Sequence, residues 1–490
     1  MTSARRERDV AAVLEDRTRA VAAVLGRTEQ LPTRRTSLTA LLAQAVTLTS
    51  RAEVWLALAA VSGVLPTDAT VTAVCRAAEF DGARPLAEAI RAALDPATST
   101  RPVRIVTDAV VIDVHNTART RLATDIQRVA RETAVRWAAE RDCLMVAWVD
   151  GFLALRDLTA DERSRMSGTA FDGQAVAVTD SDSPTDIVVP WRTTYVLPEL
   201  VADRPRNQRI LALARWSGNR TGAIGFDCIP LTSGDTTDVG VPDFFADHLA
   251  TIRHMQRLTT ISNAAATEYR GWREMLKGVG LPGPQIEPVL LPAEAPAVDD
   301  AALERARRRF VVAGMPLVLC VGTNEPRKNH GAVLHAARVL WREGLTFSLT
   351  FIGGHSWRGA AFAREVAEAQ RDGLPVESSS SVGDDLLWPA YRLARCTVFP
   401  SFNEGYGLPV AESLAAGTPA ITSGYGSMAE IAADGGVLLV DPRDDVSVVD
   451  ALRTMLTDEE RYRSLRAEAA ARPVRTWDAY ARRTLEFLTA

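Results

Sequence analysis

The chain has few of the features that mark disulfide-bonded, zinc-binding or membrane-spanning proteins. Its 490 residues contain five scattered cysteines and no CxxC pair. Because disulfide frameworks and zinc sites need paired or closely spaced cysteines, we expect buried thiols in a reducing compartment. No apolar run approaches the ~18 residues that a membrane span needs, and the charged N-terminus MTSARRERD lacks the apolar stretch of a signal peptide. These absences predict a cytoplasmic protein.

Lysine is nearly absent, and neither sign of charge dominates. The net charge is −5, from 56 Lys plus Arg and 61 Asp plus Glu, so the sequence predicts no nucleic-acid partner. Only Lys277 and Lys328 are lysines, so a lysine within a motif stands out against an arginine background. The length predicts two or three domains.

Residues 1–100 are rich in Ala, Leu, Arg and Thr and show little strand pattern. Apolar spacing predicts helices near 21–25, 38–48, 54–61 and 87–94. We interpret this part as a helical extension. It serves either packing and homo-oligomerisation or the binding of an acceptor or partner, and the sequence leaves both open.

Strand and helix patterns alternate after residue 100, which predicts two doubly wound, Rossmann-like domains. In the first, 101–292, the β-branched run VVIDV is typical of a buried parallel strand, and further strands are predicted at 143–149, 174–178, 187–190, 221–226 and 258–261. After an acidic, Pro/Ala-rich linker, the second domain, 301–475, has predicted strands at 317–321, 348–352, 375–379, 397–400, 420–422 and 437–440. A last helix is predicted within 476–490.

The stretch 401–418, SFNEGYGLPVAESLAAGT, follows one of these strands and has the local pattern of a nucleotide site. Its glycines allow a ligand close to the backbone, and the following helix start offers free N–H groups to anions. Two carboxylates, Glu404 and Glu412, stand within it with seven residues between them. Acceptor-only carboxylates suit vicinal diols, which supply two donors each.

A second motif, Thr323 to His330, follows the strand LVLCVG. Arg327 and Lys328 are adjacent there, at a strand end where open α/β sheets bind ligands, and they suit a diphosphate. The alternative to a diphosphate site is a solvated basic turn that binds no ligand. The third motif, Gly-Gly-His-Ser-Trp at 353–357, makes His355 and Trp357 candidates for the site or for a surface turn.

These motifs resemble the donor site of family-4 retaining glycosyltransferases of the GT-B fold. The resemblance rests on E-x7-E within F-x-E-G-Y-G-L-P and on G-T-x-E-P-R-K-N. In the first domain, D-I-Q-R-V-A-R-E and G-x-I-G-F-D-C-I-P-L resemble a mannosyl- and rhamnosyltransferase-like subgroup. The resemblance implies two Rossmann-like domains facing a cleft, with a terminal helix that crosses back to the first domain.

The resemblance also implies a reaction and a set of roles. A hexose would be transferred from a nucleotide diphosphate sugar to a glycan or glycolipid acceptor, with retention of the anomeric configuration and without metal or cofactor. GDP-mannose is the first choice of donor. Glu404 would contact the sugar, Glu412 the ribose, and Arg327 and Lys328 the diphosphate. The expected substrate-binding residues are completed by Gly405, Tyr406, Gly407, Leu408, Gly322, Thr323, Gly354, His355, Val382 and His115.

Two positions depart from the subgroup pattern. Asp125 stands where it has Gly, and a carboxylate near a diphosphate is unfavourable, so Asp125 would cap its helix or face the acceptor. Phe226 fills a place often held by His, so Asp227 becomes the catalytic candidate of the first domain, followed by His115 and Arg119. Either departure would also suit a catalytically silent, nucleotide-sugar- or glycan-binding partner subunit.

Two further alternatives concern the reaction and the location. An epimerase or a dehydrogenase on a related fold stays open, although no dinucleotide-binding G-x-G-x-x-G follows a strand of the first domain. Contact with the inner face of a membrane would suit a glycolipid acceptor and is an alternative to a purely cytoplasmic location.

Overall fold

The structure is a computed structural model that describes residues 3–32, 34, 36–120, 124–167, 185–354, 359–380 and 382–490. No helix in these ranges combines the length and the apolar character needed to cross a bilayer. The strand predicted at 174–178 lies outside the described residues, as do His355 and Trp357.

Five helices form the N-terminal region: α1 (Ser3–Val24), α2 (Leu38–Ala45), α3 (Arg51–Ser62), α4 (Asp68–Asp81) and α5 (Arg84–Ala92). Ser50 caps α3 by accepting a hydrogen bond from the amide of Glu53. Helix α3 is buried from Val54 to Ser62, and the Trp55 ring stacks on Trp191, the residue after the strand Ile187–Pro190 of the first sheet, with centroids 6.4 Å apart. The N-terminal helices therefore share one core with the first α/β domain.

The first α/β domain is a nine-stranded sheet flanked by helices. Its strands are β1 (Val103–Val106), β2 (Val110–Asp113), β3 (Cys143–Trp148), β4 (Leu155–Asp157), β5 (Ile187–Pro190), β6 (Thr194–Leu197), β7 (Arg220–Gly225), β8 (Arg257–Thr260) and β9 (Gln285–Pro288). Its helices are α6 (His115–Arg119), α7 (Asp125–Glu140), α8 (Ala160–Met166), α9 (Arg204–Trp216), α10 (Ile229–Thr232), α11 (Val241–Ile252) and α12 (Asn263–Lys277). The strand order is β1-β5-β4-β3-β2-β6-β7-β8-β9, and β4 runs antiparallel to its neighbours.

The second α/β domain has a six-stranded parallel sheet with the order β12-β11-β10-β13-β14-β15. Its strands are β10 (Leu317–Val321), β11 (Ser348–Ile352), β12 (Val376–Ser379), β13 (Cys396–Phe399), β14 (Ala420–Ser423) and β15 (Val437–Val440). Its helices are α13 (Asp300–Phe310), α14 (His330–Arg342), α15 (Ala360–Arg371), α16 (Asp384–Leu393), α17 (Leu408–Ala415), α18 (Gly426–Ala432), α19 (Asp445–Thr457) and α20 (Glu459–Ala470). Two doubly wound domains and a helical N-terminal region were expected from the sequence, and this fold class is confirmed.

The last helix, α21 (Trp477–Thr489), lies on the first domain. The indole N–H of Trp137 donates to the carbonyl of Ala481 at 2.7 Å, and Leu488 packs on Gly222, where a Cβ would lie 2.8 Å from Leu488 Cδ2. Arg220 donates to the carbonyl of Thr489 at the end of the helix. The chain thus returns to its first sheet after completing the second domain.

Candidate active site

The site is built where the carboxyl ends of strands from both sheets face each other. Gly322 follows β10, Ser401 lies just beyond β13, and Asp227 comes two residues after β7. Open parallel sheets bind ligands at this edge, because the strand-to-helix loops leave a crevice there. Asp125 and Arg128, in the first turn of α7, approach the second domain's charged residues from the opposite domain.

Glu404 pairs with both predicted cations. Its carboxylate oxygens lie 2.6 Å from Arg327 Nη1 and 3.8 Å from Lys328 Nζ, and the Ser401 hydroxyl donates to it at 2.9 Å. Gly322 has φ +142°, and a Cβ there would lie 3.0 Å from the Lys328 side chain. A glycine is required at that turn, because the buried lysine passes directly over the backbone.

The charges of this cluster hold Glu404 ionised. Burial alone would raise the pKa of Glu404, but the attraction of Lys328 and Arg327 brings it below its ordinary value. The pKa of Arg327 is raised above its ordinary value. Burial alone would lower this pKa, but the attraction of Glu404 and Glu325 outweighs the effect of burial. The cluster therefore places Arg327 and Lys328 against Glu404, while Arg327 also pairs with Glu325 at 2.9 Å.

Glu412, one turn into α17, has a different surrounding. Its Oε1 accepts from Arg128 Nη1 at 2.5 Å, and its Oε2 accepts from the Tyr391 hydroxyl at 3.1 Å. Burial, together with repulsion from Asp125, raises the pKa of Glu412 in spite of Arg128. The contacts of Arg128 and Tyr391 were not predicted from the sequence, although Arg128 belongs to the D-I-Q-R segment that carried the resemblance.

Asp125 is not the cap of its helix. Thr124 accepts from the Gln127 amide while Gln127 reaches back to the Thr124 amide, so the capping box is complete without Asp125. The charges that act on the Asp125 carboxyl are those of Lys328, Glu404, Arg128 and Arg327. Of the two roles that the sequence left open, capping of the helix is therefore not observed, and contact of Asp125 with the acceptor stays a prediction.

Asp227 lies against the glycine-rich loop of the other domain. A Cβ on Gly405 would come 2.7 Å from Asp227 Oδ2 and 3.1 Å from the Phe226 carbonyl oxygen. Burial and repulsion by Glu268 and Glu404 raise the pKa of Asp227 to about 6, against the attraction of Arg327. A glycine at 405 is what lets the two domains approach here.

Two short hydrogen bonds are among those that anchor the loop 403–407 to the first domain. Ser262, the N-cap of α12, donates to the Gly405 carbonyl at 2.6 Å, and the Tyr406 hydroxyl donates to the Leu291 carbonyl at 2.6 Å. Gly407 has φ +107° and directly precedes Leu408, the buried first residue of α17. Tyr406 and Leu408 are both buried and help to hold the loop in place.

The remaining residues that were predicted to bind the sugar nucleotide lie beside β10 and α16. Thr323 donates its hydroxyl to Glu325 at 2.7 Å, and the Gly354 carbonyl accepts from the Asn324 amide. Val382 packs into the second domain's core next to α16. Helix α16 is ten residues long and contains Pro389 in its interior.

His115 is turned away from the charged cluster. Its Nδ1 accepts from the Trp148 amide at 3.0 Å, and its ring packs edge-on against Phe152. Burial and the nearby Arg206 and Arg119 keep its pKa well below the ordinary histidine value. Arg119, the other candidate of this loop, pairs with Asp150 at 2.8 Å.

Comparison with known sequences locates a family match in the second domain. Residues 304–472 match the family model described as glycosyl transferases group 1. O-antigen chain mannosyltransferase B of Escherichia coli is 32% identical over 166 residues, which cover 34% of this chain and 42% of that protein. D-inositol 3-phosphate glycosyltransferase of Thermomonospora curvata is 36% identical over 205 residues, covering 38% and 46%. The chain therefore spans less than half the length of these relatives.

Solved structures match over both domains. Sucrose-phosphate synthase from Thermosynechococcus elongatus superposes with a TM-score of 0.55 at 16% identity, covering 77% of this chain and 98% of that one. HepE of Anabaena, solved with UDP and glucose, gives 0.55 at 11% identity, with 79% and 100% covered. At these identities the likeness concerns the fold, and it confirms the GT-B architecture.

Proposed function

We propose that this protein is a retaining hexosyltransferase, because residues 304–472 match the model of the glycosyl transferases group 1 family within a chain of GT-B fold. It uses a nucleotide diphosphate sugar as donor and a glycan or glycolipid hydroxyl as acceptor. The working domain limits are 101–292 for the acceptor side and 301–475 for the donor side.

One observation carries the proposal: Arg327 and Lys328 both point at Glu404, 2.6 and 3.8 Å from its carboxylate, at the carboxyl ends of the second sheet. A diphosphate brings two or more negative charges to such a pair, and a guanidinium fork beside a point charge suits it. Glu404 then accepts from sugar hydroxyls, and Glu412 from the ribose diol.

The proposed reaction takes place on one face of the sugar. The acceptor hydroxyl attacks the anomeric carbon while the bond to the diphosphate oxygen breaks, and that oxygen takes the acceptor's proton. Arg327 and Lys328 stabilise the negative charge that grows on the leaving group, in place of a metal ion. A preorganised donor of this kind contributes about 3–4 kcal/mol to the barrier difference.

The donor and acceptor are narrower proposals. The mannosyltransferase among the relatives and the D-I-Q-R-V segment support a GDP-linked mannose as the first donor to test. A polysaccharide under construction is the matching acceptor class. Oligomerisation through the N-terminal helices and contact with a membrane face stay predictions.

Thermal stabilisation of the purified chain by GDP, UDP and dTDP, with and without EDTA, tests donor binding. We expect one nucleotide to raise the melting temperature in both conditions and Glu412→Gln to remove most of that shift. Transfer from the matching sugar nucleotide, followed by the anomeric NMR signal of the product, then tests retention. Stabilisation without hydrolysis or transfer would instead identify the silent partner subunit, and loss of binding in EDTA would refute metal independence.

A further inference from the structure

Arg128 reaches across the cleft and occupies the carboxylate that the proposed function assigns to the ribose. It belongs to α7 of the first domain, whereas Glu412 belongs to α17 of the second. The Arg128 Nη1 to Glu412 Oε1 distance is 2.5 Å, and the guanidinium also lies 5.9 Å from the centre of the Trp477 ring. The contact therefore joins the two domains and the helix that crosses between them.

Both oxygens of Glu412 already have partners in this arrangement. Tyr391, on the second domain, fills Oε2, and Arg128 fills Oε1 from the opposite side of the cleft. A ribose diol needs carboxylate lone pairs that face the cleft. Since Tyr391 approaches from Glu412's own domain, the partner that a cleft-bound ribose would replace is Arg128.

We propose that Arg128 is an internal competitor of the nucleotide, which occupies Glu412 in the empty site and must leave it when the ribose binds. The inference rests on the proposed function and names a regulation of the same site. A ligand that binds only the fraction of molecules with Glu412 free has an apparent Kd equal to its intrinsic Kd divided by that fraction. Nucleotide entry is thereby coupled to the separation of α7 from α17.

Two features support competition over a purely structural ion pair. The Arg128 side chain is 30% exposed and Glu412 8%, so the arginine has water to move into while the carboxylate stays in place. Displaced from Glu412, Arg128 still has Asp384 and Glu132 among the charges that act on it. Its departure therefore leaves no isolated buried cation.

Isothermal titration of wild type and Arg128→Met with GDP, UDP and pyrophosphate tests the inference. Removal of the competitor should lower the Kd of the bound nucleotide at least threefold. Pyrophosphate has no ribose, so its Kd should stay the same. Arg136→Met is the matched control, because Arg136 lies on the same helix and also joins domain to crossover helix, through Asp478 at 2.6 Å, away from Glu412.

The outcomes separate this inference from the function beneath it. An unchanged or higher nucleotide Kd in Arg128→Met overturns the competitor, as does an equal change for pyrophosphate. If wild type binds no nucleotide, the proposed function and the inference fall together. Should Arg128→Met fail to fold, Arg128→Lys gives the same test, because the shorter lysine side chain weakens the contact with Glu412. The expected nucleotide Kd of Arg128→Lys lies between that of wild type and a value threefold lower. An unchanged Kd in Arg128→Lys also overturns the competitor.

Discussion

Arg327 and Glu404 bind each other across 2.6 Å, so the proposed phosphate-binding cation and the sugar-binding acid are partners before any ligand arrives. Arg327 also donates to the Asn403 carbonyl at 2.8 Å, which ties it to the loop that carries Glu404. The pair fixes the geometry of the motif 323–330 against the loop 403–407. A donor entering this site meets side chains that are already oriented.

Replacing Lys328 by Ala should reduce the transfer rate at least about a hundredfold and leave the fold intact. In the proposed mechanism Lys328 is the second cation on the leaving diphosphate, and loss of one preorganised donor costs about 10²–10³ in rate. Arg327 remains beside Glu404, so the buried carboxylate keeps a counter-ion. Initial rates of nucleotide release, with circular dichroism as the check on folding, measure the effect. Glu404→Ala should lose activity to a similar extent.

Lys277→Ala is the matched control, because Lys277 is the chain's other lysine and pairs with Glu274 on an exposed helix end. Its rate should equal that of wild type. Ordinary turnover in Lys328→Ala would remove the basis of the proposed mechanism.

Gly405→Ala should lower activity at least about tenfold, because the new methyl group would lie 2.7 Å from Asp227 Oδ2 and 3.1 Å from a backbone carbonyl of the other domain. Overpacking of this kind costs about 1–3 kcal/mol and here pushes the glycine-rich loop away from β7. Steady-state rates and the melting temperature measure both effects. Gly271→Ala is the control: it lies in α12 with open space around it, and it should keep full activity. Equal rates in the two variants would contradict the close approach.

The second domain was predictable because its signals are local. Each of its six strands was expected within one residue of the observed bounds at one or both ends, since short β-branched runs between glycine-rich turns leave few alternatives. The strand–loop–helix arrangement around Glu404 follows from the same local pattern. In the first domain, β4, β6 and β9 were missed. The antiparallel strand β4 has only three residues, which is too short to show a periodicity.

The contacts made across the cleft could not be predicted. Arg128 and Glu412 are 284 residues apart, and no spacing rule connects them. His115 was a site candidate because it follows a strand, yet the Trp148 amide required an acceptor and drew its ring inward. Thr124, and not Asp125, caps α7.

Asp227→Asn should change how stability depends on pH. The folded pKa of Asp227, about 6, is above the ordinary aspartate value, so the folded state binds the proton more tightly than the unfolded chain. That contribution is fully present below the ordinary value and is lost as pH rises through about 6. Wild type should therefore lose roughly 1–3 kcal/mol between pH 4 and 7 that Asp227→Asn does not lose. Urea unfolding of both proteins across this range gives the difference, and parallel curves would contradict the shifted pKa.

Arg206→Met should be the most destabilising of these changes, because Arg206 is fully buried between two carboxylates under the first sheet's carboxyl edge. Its Nη2 donates to Asp113 at 2.8 Å and to Glu199 at 2.7 Å, and both acids are buried as well. Removing the cation leaves two uncompensated charges in the core, which costs about 3–5 kcal/mol for a buried pair. Arg204→Met, on the same helix, breaks only an exposed pair with Asp247 at 3.5 Å and should cost under about 1 kcal/mol. Equal midpoints of urea unfolding for the two variants would show that Arg206 does not hold Asp113 and Glu199 in place.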